Sequence, residues 1–229
     1  MKIIAHIKTD FPTKFGVPRQ SGVIPENMGK IVFEKEYSDP MAVRGLDEFS
    51  HIWVIWEFSK AKTDHWSPTV RPPRLGGNKR VGVFATRSSF RPNPIGLSSV
   101  RLISVEKTKE NGTVLIISGA DLMDGTPIYD IKPYLAYTDS HPDAESSFAG
   151  EKFSYSLTVD IPDDEKGKIP VDKLSGLIKI LENDPRPSYI EDEDRVYAFE
   201  YASMHIEFKV AENVLTVVSV EKINNFKEE

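Results

Sequence analysis

The sequence predicts a mainly β protein: an N-terminal β-barrel domain followed by a small C-terminal α+β domain. Three observations carry that expectation. Through the first 135 residues, short segments rich in Ile, Val, Phe and Trp succeed one another, several bounded by Gly, Pro or Asn. One of them, VEKTKENGTVLI, contains Asn111-Gly112, which supplies the positive φ values that a tight hairpin needs. Strands outnumber helices too heavily for a doubly wound sheet, which leaves a barrel or a strongly curved sheet.

Taken in order, KIIAHIK, KIVFEKEY, HIWVIWEF, RVGVFAT, LSSVRLISVEK and TVLIISG read as strands. A short helix is expected at 40–48, with Asp39 as its cap, Pro40 in the first turn, and Met41, Val43 and Leu46 turned inward. Between RVGVFAT and LSSVRLISV lies RSSFRPNPIG, which resists regular structure. Pro92 and Pro94 fix two φ angles, remove two donors and push Arg91 and Asn93 toward extended backbone. This stiff loop carries Arg87, Ser88, Ser89, Arg91 and Asn93, a donor set that suggests binding.

The polar stretch 138–152, TDSHPDAESSFAGEK, reads as a linker between a barrel domain at 1–137 and a second domain at 153–229. In the second domain FSYSLTVDI reads as a strand, and PVDKLSGLIKILEND as a helix with Leu174, Leu177, Ile178 and Leu181 on one face. After DPRPSY and the acidic IEDEDR come two strands, VYAFEYASMHIEFKV and VLTVVSVEKI, joined at Ala211-Glu212-Asn213.

Composition narrows the function. With 229 residues, 39% hydrophobic and 28% charged, the chain can bury a real core. No apolar run approaches the ~18 residues of a membrane span, and MKIIAHIKTDFP is too short and too polar for a secretory signal. The absence of cysteine excludes disulfides and thiolate metal sites and agrees with a cytoplasmic location. The net charge is −6, yet from His65 to Val105 there is no Asp or Glu, while Arg71, Arg74, Lys79, Arg80, Arg87, Arg91 and Arg101 all fall there. An acidic protein with one basic island can draw a phosphate-bearing ligand to that island.

Other chemistries have weaker support. Asp139, His141, Asp143 and Glu145 form a hard-ligand cluster on the linker without an element to fix them, so no metal site is expected. Ser88 and Ser89 lack a nucleophile elbow. RLGGNKR precedes a strand, where a dinucleotide loop must follow one and open a helix, so no Rossmann site is expected.

Taken together, PRQ (18–20), AVRGLDEFSHIW (42–53), RPPRLGGNKRVGVFATRSSFRPNPIGLS (71–98), DLMDGTPIYDIKPY (121–134) and DPRPSY (184–189) resemble the TrmO/TsaA-like family. Ser188 and Ile52 are small departures, standing where the family commonly has alanine and leucine. The resemblance implies a homodimeric tRNA methyltransferase on a β-barrel. It would move a methyl group from S-adenosylmethionine to N6 of threonylcarbamoyladenosine at position 37, in the anticodon loop, with no role for DNA or membrane. It further implies that Pro18, Arg19, Gln20, His51, Ile52, Arg87, Leu97, Asp121, Leu122, Met123 and Asp124 hold the cofactor. Asp184, Arg186 and Tyr189 are the candidates for seating the modified adenosine: Tyr189 by stacking or hydrogen bonding, Arg186 by meeting a phosphate or the threonyl carboxylate. The alternative from another class is a non-catalytic RNA-binding β-barrel whose basic island grips phosphates.

Overall fold

The computed structural model describes residues 1–61, 65–72, 75, 79–149, 156–186 and 192–223. The first part contains β1 (Ala5–Thr9), β2 (Met28–Phe33), β3 (His51–Glu57), β4 (Thr69–Val70), β5 (Val81–Gly82), β6 (Ile95–Thr108), β7 (Gly112–Ser118) and β8 (Pro127–Pro133). Six of these close an antiparallel barrel in the order β1-β2-β7-β6-β3-β8, while β4 and β5 pair only with each other. Strict alternation builds the wall. On β6 Gly96, Ser98, Val100 and Leu102 point inward, and Ile95, Leu97 and Arg101 point out.

Close packing of the interior explains one glycine. A Cβ at Gly96 would lie 2.2 Å from Cε2 of Trp56, so only glycine lets the indole cross β6 at that level. The barrel core gathers Ile7, Ile31, Ile52, Val54, Trp56, Val100, Leu115, Ile117, Leu122 and Ile128.

Two expectations are corrected here. The helix expected at 40–48 is two 3₁₀ turns, Pro40–Val43 and Leu46–Glu48, separated by Gly45 at φ 81°, a left-handed value that ends any helix. The Asp39 cap is present, its Oδ1 accepting from the Met41 N–H at 2.8 Å, but Met41 points to solvent. RVGVFAT is not a barrel strand. Only Val81–Gly82 is extended, and Val83–Ala85 turns in a 3₁₀ coil with Val83 buried and Phe84 exposed.

A short helix α1 (Ala136–Asp139) follows the barrel, with Asp139 Oδ2 accepting from the Leu135 N–H at 3.0 Å and from Trp53 Nε1 at 2.7 Å. Beyond it come β9 (Thr158–Asp160), α2 (Asp163–Lys166), α3 (Val171–Glu182), β10 (Tyr197–Tyr201), β11 (Met204–Ala211) and β12 (Val214–Lys222). The sheet order is β10-β11-β12-β9, with β9 parallel to β12. VYAFEYASMHIEFKV is thus a hairpin rather than one strand, folded at Ala202 and Ser203, both at positive φ. Helix α3 buries Leu177, Ile180 and Leu181 against this sheet.

The second core is not built from the C-terminal segment alone. Phe11 and Ile24 belong to it, with Phe15, Val17 and Val23 packed against it. Polar contacts follow the same path: Lys173 Nζ meets Asp10 Oδ2 at 2.6 Å, and the Ala202 N–H donates to the Asp10 carbonyl at 2.9 Å. Residues 10–27 therefore lace the two units together, and they include the PRQ segment.

Candidate active site

The PRQ segment is held against the barrel by two features. The Gly22 N–H donates to the Gly119 carbonyl at 2.9 Å. Beside it, the backbone N–H groups of Ser21 and of Asp121 itself favour the charged form of the Asp121 carboxylate. The same carboxylate accepts Ser98 Oγ–H at 2.6 Å, and Ser98 Oγ in turn accepts Trp56 Nε1–H at 2.9 Å. A chain of hydrogen bonds thus runs from the barrel interior to the loop. Burial pushes the Asp121 carboxyl up to about 6, an effect only partly offset by these donors and by the positive charge of Arg87.

Arg87 completes the near side of the site. It opens the proline-stiffened loop, is exposed, and donates through Nη1 to the side-chain oxygen of Gln20. The loop behind it is internally tied: Arg91 Nη1 donates to the carbonyls of Thr86 at 3.1 Å and Ser88 at 3.3 Å. Arg87 is therefore presented from a braced backbone, which reduces the entropy lost when it meets a ligand.

The far side comes from the second unit. Arg19, next to Gln20, reaches across and donates through Nη2 to the carbonyl of Arg186 at 2.9 Å and to that of Asp184 at 3.4 Å. Asp184 follows the cap of α3 at φ 48°, and its carboxylate accepts Arg186 Nε at 2.8 Å and Nη2 at 2.9 Å. Only 14% of the Arg186 side chain and 16% of the Asp184 side chain remain exposed, so this bidentate pair braces the segment from within.

The structure therefore brings Arg19, Gln20, Arg87, Asp121, Asp184 and Arg186 into one neighbourhood, with Pro18 half-buried at the start of the loop. Other residues singled out in the sequence sit differently. Ile52 and Leu122 send their side chains into the barrel core, so the main chain is what either offers. His51 opens β3 opposite Arg101, its ring against Ser50 Oγ at 2.9 Å, whereas Leu97 pairs with Ile55 at the other end of that strand and faces out. Asp124 is bound to β1, its Oδ1 accepting from the Thr9 N–H at 3.0 Å and its Oδ2 lying 3.6 Å from Lys8 Nζ. Met123 is half-buried and spends its carbonyl on Thr126. Tyr189 lies outside the described residues.

Two supporting residues, Ser98 and Trp56, went unread in the sequence. Their signal was present: Ser98 is a hydroxyl at an inward position of an alternating strand, where an unpaired polar group would be costly.

A family model for the tRNA-methyltransferase O N-terminal domain matches residues 6–140, and one for the TrmO C-terminal domain matches residues 164–223. A tRNA (adenine(37)-N6)-methyltransferase of Escherichia coli strain K12 is 40% identical over 229 residues, covering 95% of this chain and 96% of its own. A Pseudomonas aeruginosa protein classed with the S-adenosylmethionine-dependent methyltransferases is 39% identical over 196 residues, 83% of each chain. The crystal structure of TrmO from Pseudomonas aeruginosa superposes with a TM-score of 0.73 at 28% identity, covering 96% of this chain and 97% of that one.

Proposed function

This chain belongs to the TrmO family, and from that premise we propose that it is a tRNA methyltransferase that transfers a methyl group from S-adenosylmethionine to N6 of adenine 37. In finer detail, the acceptor is threonylcarbamoyladenosine in the anticodon loop. The observation that carries the reading is the convergence around residues 18–21. One side of that loop is tied to Arg87 and Asp121 and the other to Asp184 and Arg186, so a donor-binding face and an acceptor-binding face meet at one point.

The residues suit S-adenosylmethionine. An exposed guanidinium on a stiff loop matches the methionyl carboxylate, and Gln20 beside it offers both an acceptor and a donor. Asp121 supplies negative charge near a sulfonium. When bound, the cofactor supplies a methyl group activated by that sulfonium. The chain's own task is alignment: Arg87 and Gln20 hold the donor, and the Asp184–Arg186 brace fixes the loop that seats the nucleophilic N6. Pro18 and the main chain at Ile52, Leu122 and Met123, with His51, Leu97 and Asp124, complete the proposed cofactor set, and Tyr189 the acceptor set.

The reading extends to a homodimer acting in the cytoplasm. The exposed pair Ile95 and Leu97 on the outer face of β6 supports a partner subunit there. No described helix is long and apolar enough to cross a membrane.

Two measurements test the proposal together: calorimetric titration with S-adenosylmethionine, and methylation of tRNA with and without the threonylcarbamoyl group. Binding of the cofactor with transfer only to the modified tRNA is expected. Tight RNA binding without cofactor binding would replace the enzyme with a non-catalytic RNA-binding barrel.

A further inference from the structure

The β4–β5 ribbon is a sheet separate from the barrel, and exposed aromatic rings flank it in the chain. Trp66, Phe84 and Phe90 leave 52%, 72% and 48% of their surfaces exposed, which is costly for large rings with no task. Their presentation is built. The 3₁₀ turn Val83–Ala85 buries Val83 and turns Phe84 out, and it is pinned by the Val83 N–H donating to the Pro68 carbonyl at 2.9 Å and by Thr86 Oγ1 donating to the Val83 carbonyl at 2.8 Å. Trp66 lies 6.2 Å from Phe84, centre to centre, with the two planes only 31° apart.

Cations lie over two of these rings. Arg91 Cζ sits 6.0 Å from the centre of Phe84, and Lys14 Nζ 5.6 Å from that of Phe90. Arg80 is anchored on the ribbon, its Nη1 donating to Thr69 Oγ1 at 2.8 Å, and Arg71 and Lys79 are exposed near by in sequence. Nothing acidic interrupts the run from His65 to Val105.

We propose that this aromatic and basic ribbon is a stacking platform for unpaired nucleotides of the RNA substrate, set beside the cofactor site through Arg87. The inference rests on the tRNA reading above and adds the surface that meets the RNA and the mode of contact. Exposed rings with interleaved cations fit a ligand that has both π faces and negative charge, which is single-stranded nucleic acid. A paired helix hides its base faces in the stack, so the rings select a loop over a stem. A second copy of this chain fits poorly, because a twofold contact through this face would set cation against cation.

The test compares the wild-type protein with Trp66→Ala/Phe84→Ala and with Phe84→Tyr. The probes are a labelled RNA hairpin with an unpaired loop and a blunt RNA duplex of the same stem. The double variant should lose about ten-fold or more in hairpin affinity and little in duplex affinity, since only unpaired bases stack on the rings. Phe84→Tyr should keep the wild-type preference. Equal loss on both RNAs, no loss on either, or a change of sedimentation coefficient with hairpin affinity unchanged would each overturn the platform. S-adenosylmethionine titration of the same variants separates this from the parent reading. Lost cofactor affinity with intact hairpin binding would assign the rings to the cofactor and refute the platform, whereas failure of the wild-type protein to bind cofactor would refute the methyltransferase reading itself.

Discussion

Two proline-stiffened loops in this chain carry an arginine toward the same place and use it in opposite ways. In the barrel loop, Arg87 is exposed and turned outward to Gln20. In the segment after α3, Arg186 is turned inward onto Asp184, two residues before it. The local sequences are similar in kind, SSFRPNP against DPRP. The difference is the nearest carboxylate. Asp184 is close enough to make a bidentate pair, which engages the guanidinium within its own loop. No Asp or Glu lies anywhere from His65 to Val105, so Arg87 finds its partners outside the loop and Arg91 resorts to main-chain carbonyls. The neighbours' charge decides whether an arginine reaches out of its loop or braces it from within.

The largest expected effect falls on the outward arginine. Arg87→Ala should weaken S-adenosylmethionine binding roughly ten- to a hundred-fold, measured by calorimetry, with the thermal midpoint nearly unchanged because the side chain is exposed. An unaltered dissociation constant in the folded variant would remove Arg87 from the site and end the comparison.

The inward arginine should separate the two substrates. Arg186→Ala and Asp184→Asn are each expected to lower kcat/KM for modified tRNA by about ten-fold while the cofactor affinity stays near the wild-type value. Because both disrupt one brace, the double variant should be little worse than either single change. Additive losses would mean that Arg186 touches the tRNA independently of Asp184.

A smaller effect is expected at the link between the loops. Arg19→Ala removes the hydrogen bonds to the carbonyls of Asp184 and Arg186, and about a five-fold rise in KM for tRNA should follow. Arg19→Lys, which can still donate to a carbonyl, should recover part of it. A loss confined to cofactor affinity would return Arg19 to the cofactor set alone.

A last effect, on stability rather than on activity, concerns Asp121, which fastens the loop under both arginines. Its carboxyl is raised from 3.8 to about 6 by burial, so between those pH values the folded protein holds a proton that the unfolded chain has released. This group therefore loses stability as pH rises from about 4 to 6, by at most about 3 kcal/mol. Relative to wild type, Asp121→Asn should gain about a few degrees in thermal midpoint on going from pH 4 to pH 7. A flat difference across that range would show that the carboxylate is not desolvated in solution.

Much of the fold was legible. LSSVRLISVEK was legible as the strand β6, Asn111-Gly112 marked its hairpin with β7, and the spacing of Leu174, Leu177, Ile178 and Leu181 marked α3, although Ile180 rather than Ile178 is the buried isoleucine. Misreadings arose where local pattern lacks the deciding information. The turn inside VYAFEYASMHIEFKV uses Ala202 and Ser203 at positive φ, without the Gly or Asn that would have announced it. RVGVFAT has strand-like residues but no barrel neighbour, and its short ribbon places Phe84 in water.

By itself, then, the amino-acid sequence determined the strand-rich class, the stiff donor-rich loop, the basic island and the family motifs. All of these depend on residue type within a few positions, where sterics and periodicity act. Tertiary structure alone decided that Phe11 and Ile24 would join the second core and that Ser98 would meet Asp121. It alone carried Arg19 to the carbonyl of a residue 167 positions away. A hydrogen bond to a main-chain carbonyl asks nothing of the side chain it reaches, so such a contact leaves no mark in composition or spacing and exists only once the barrel has closed.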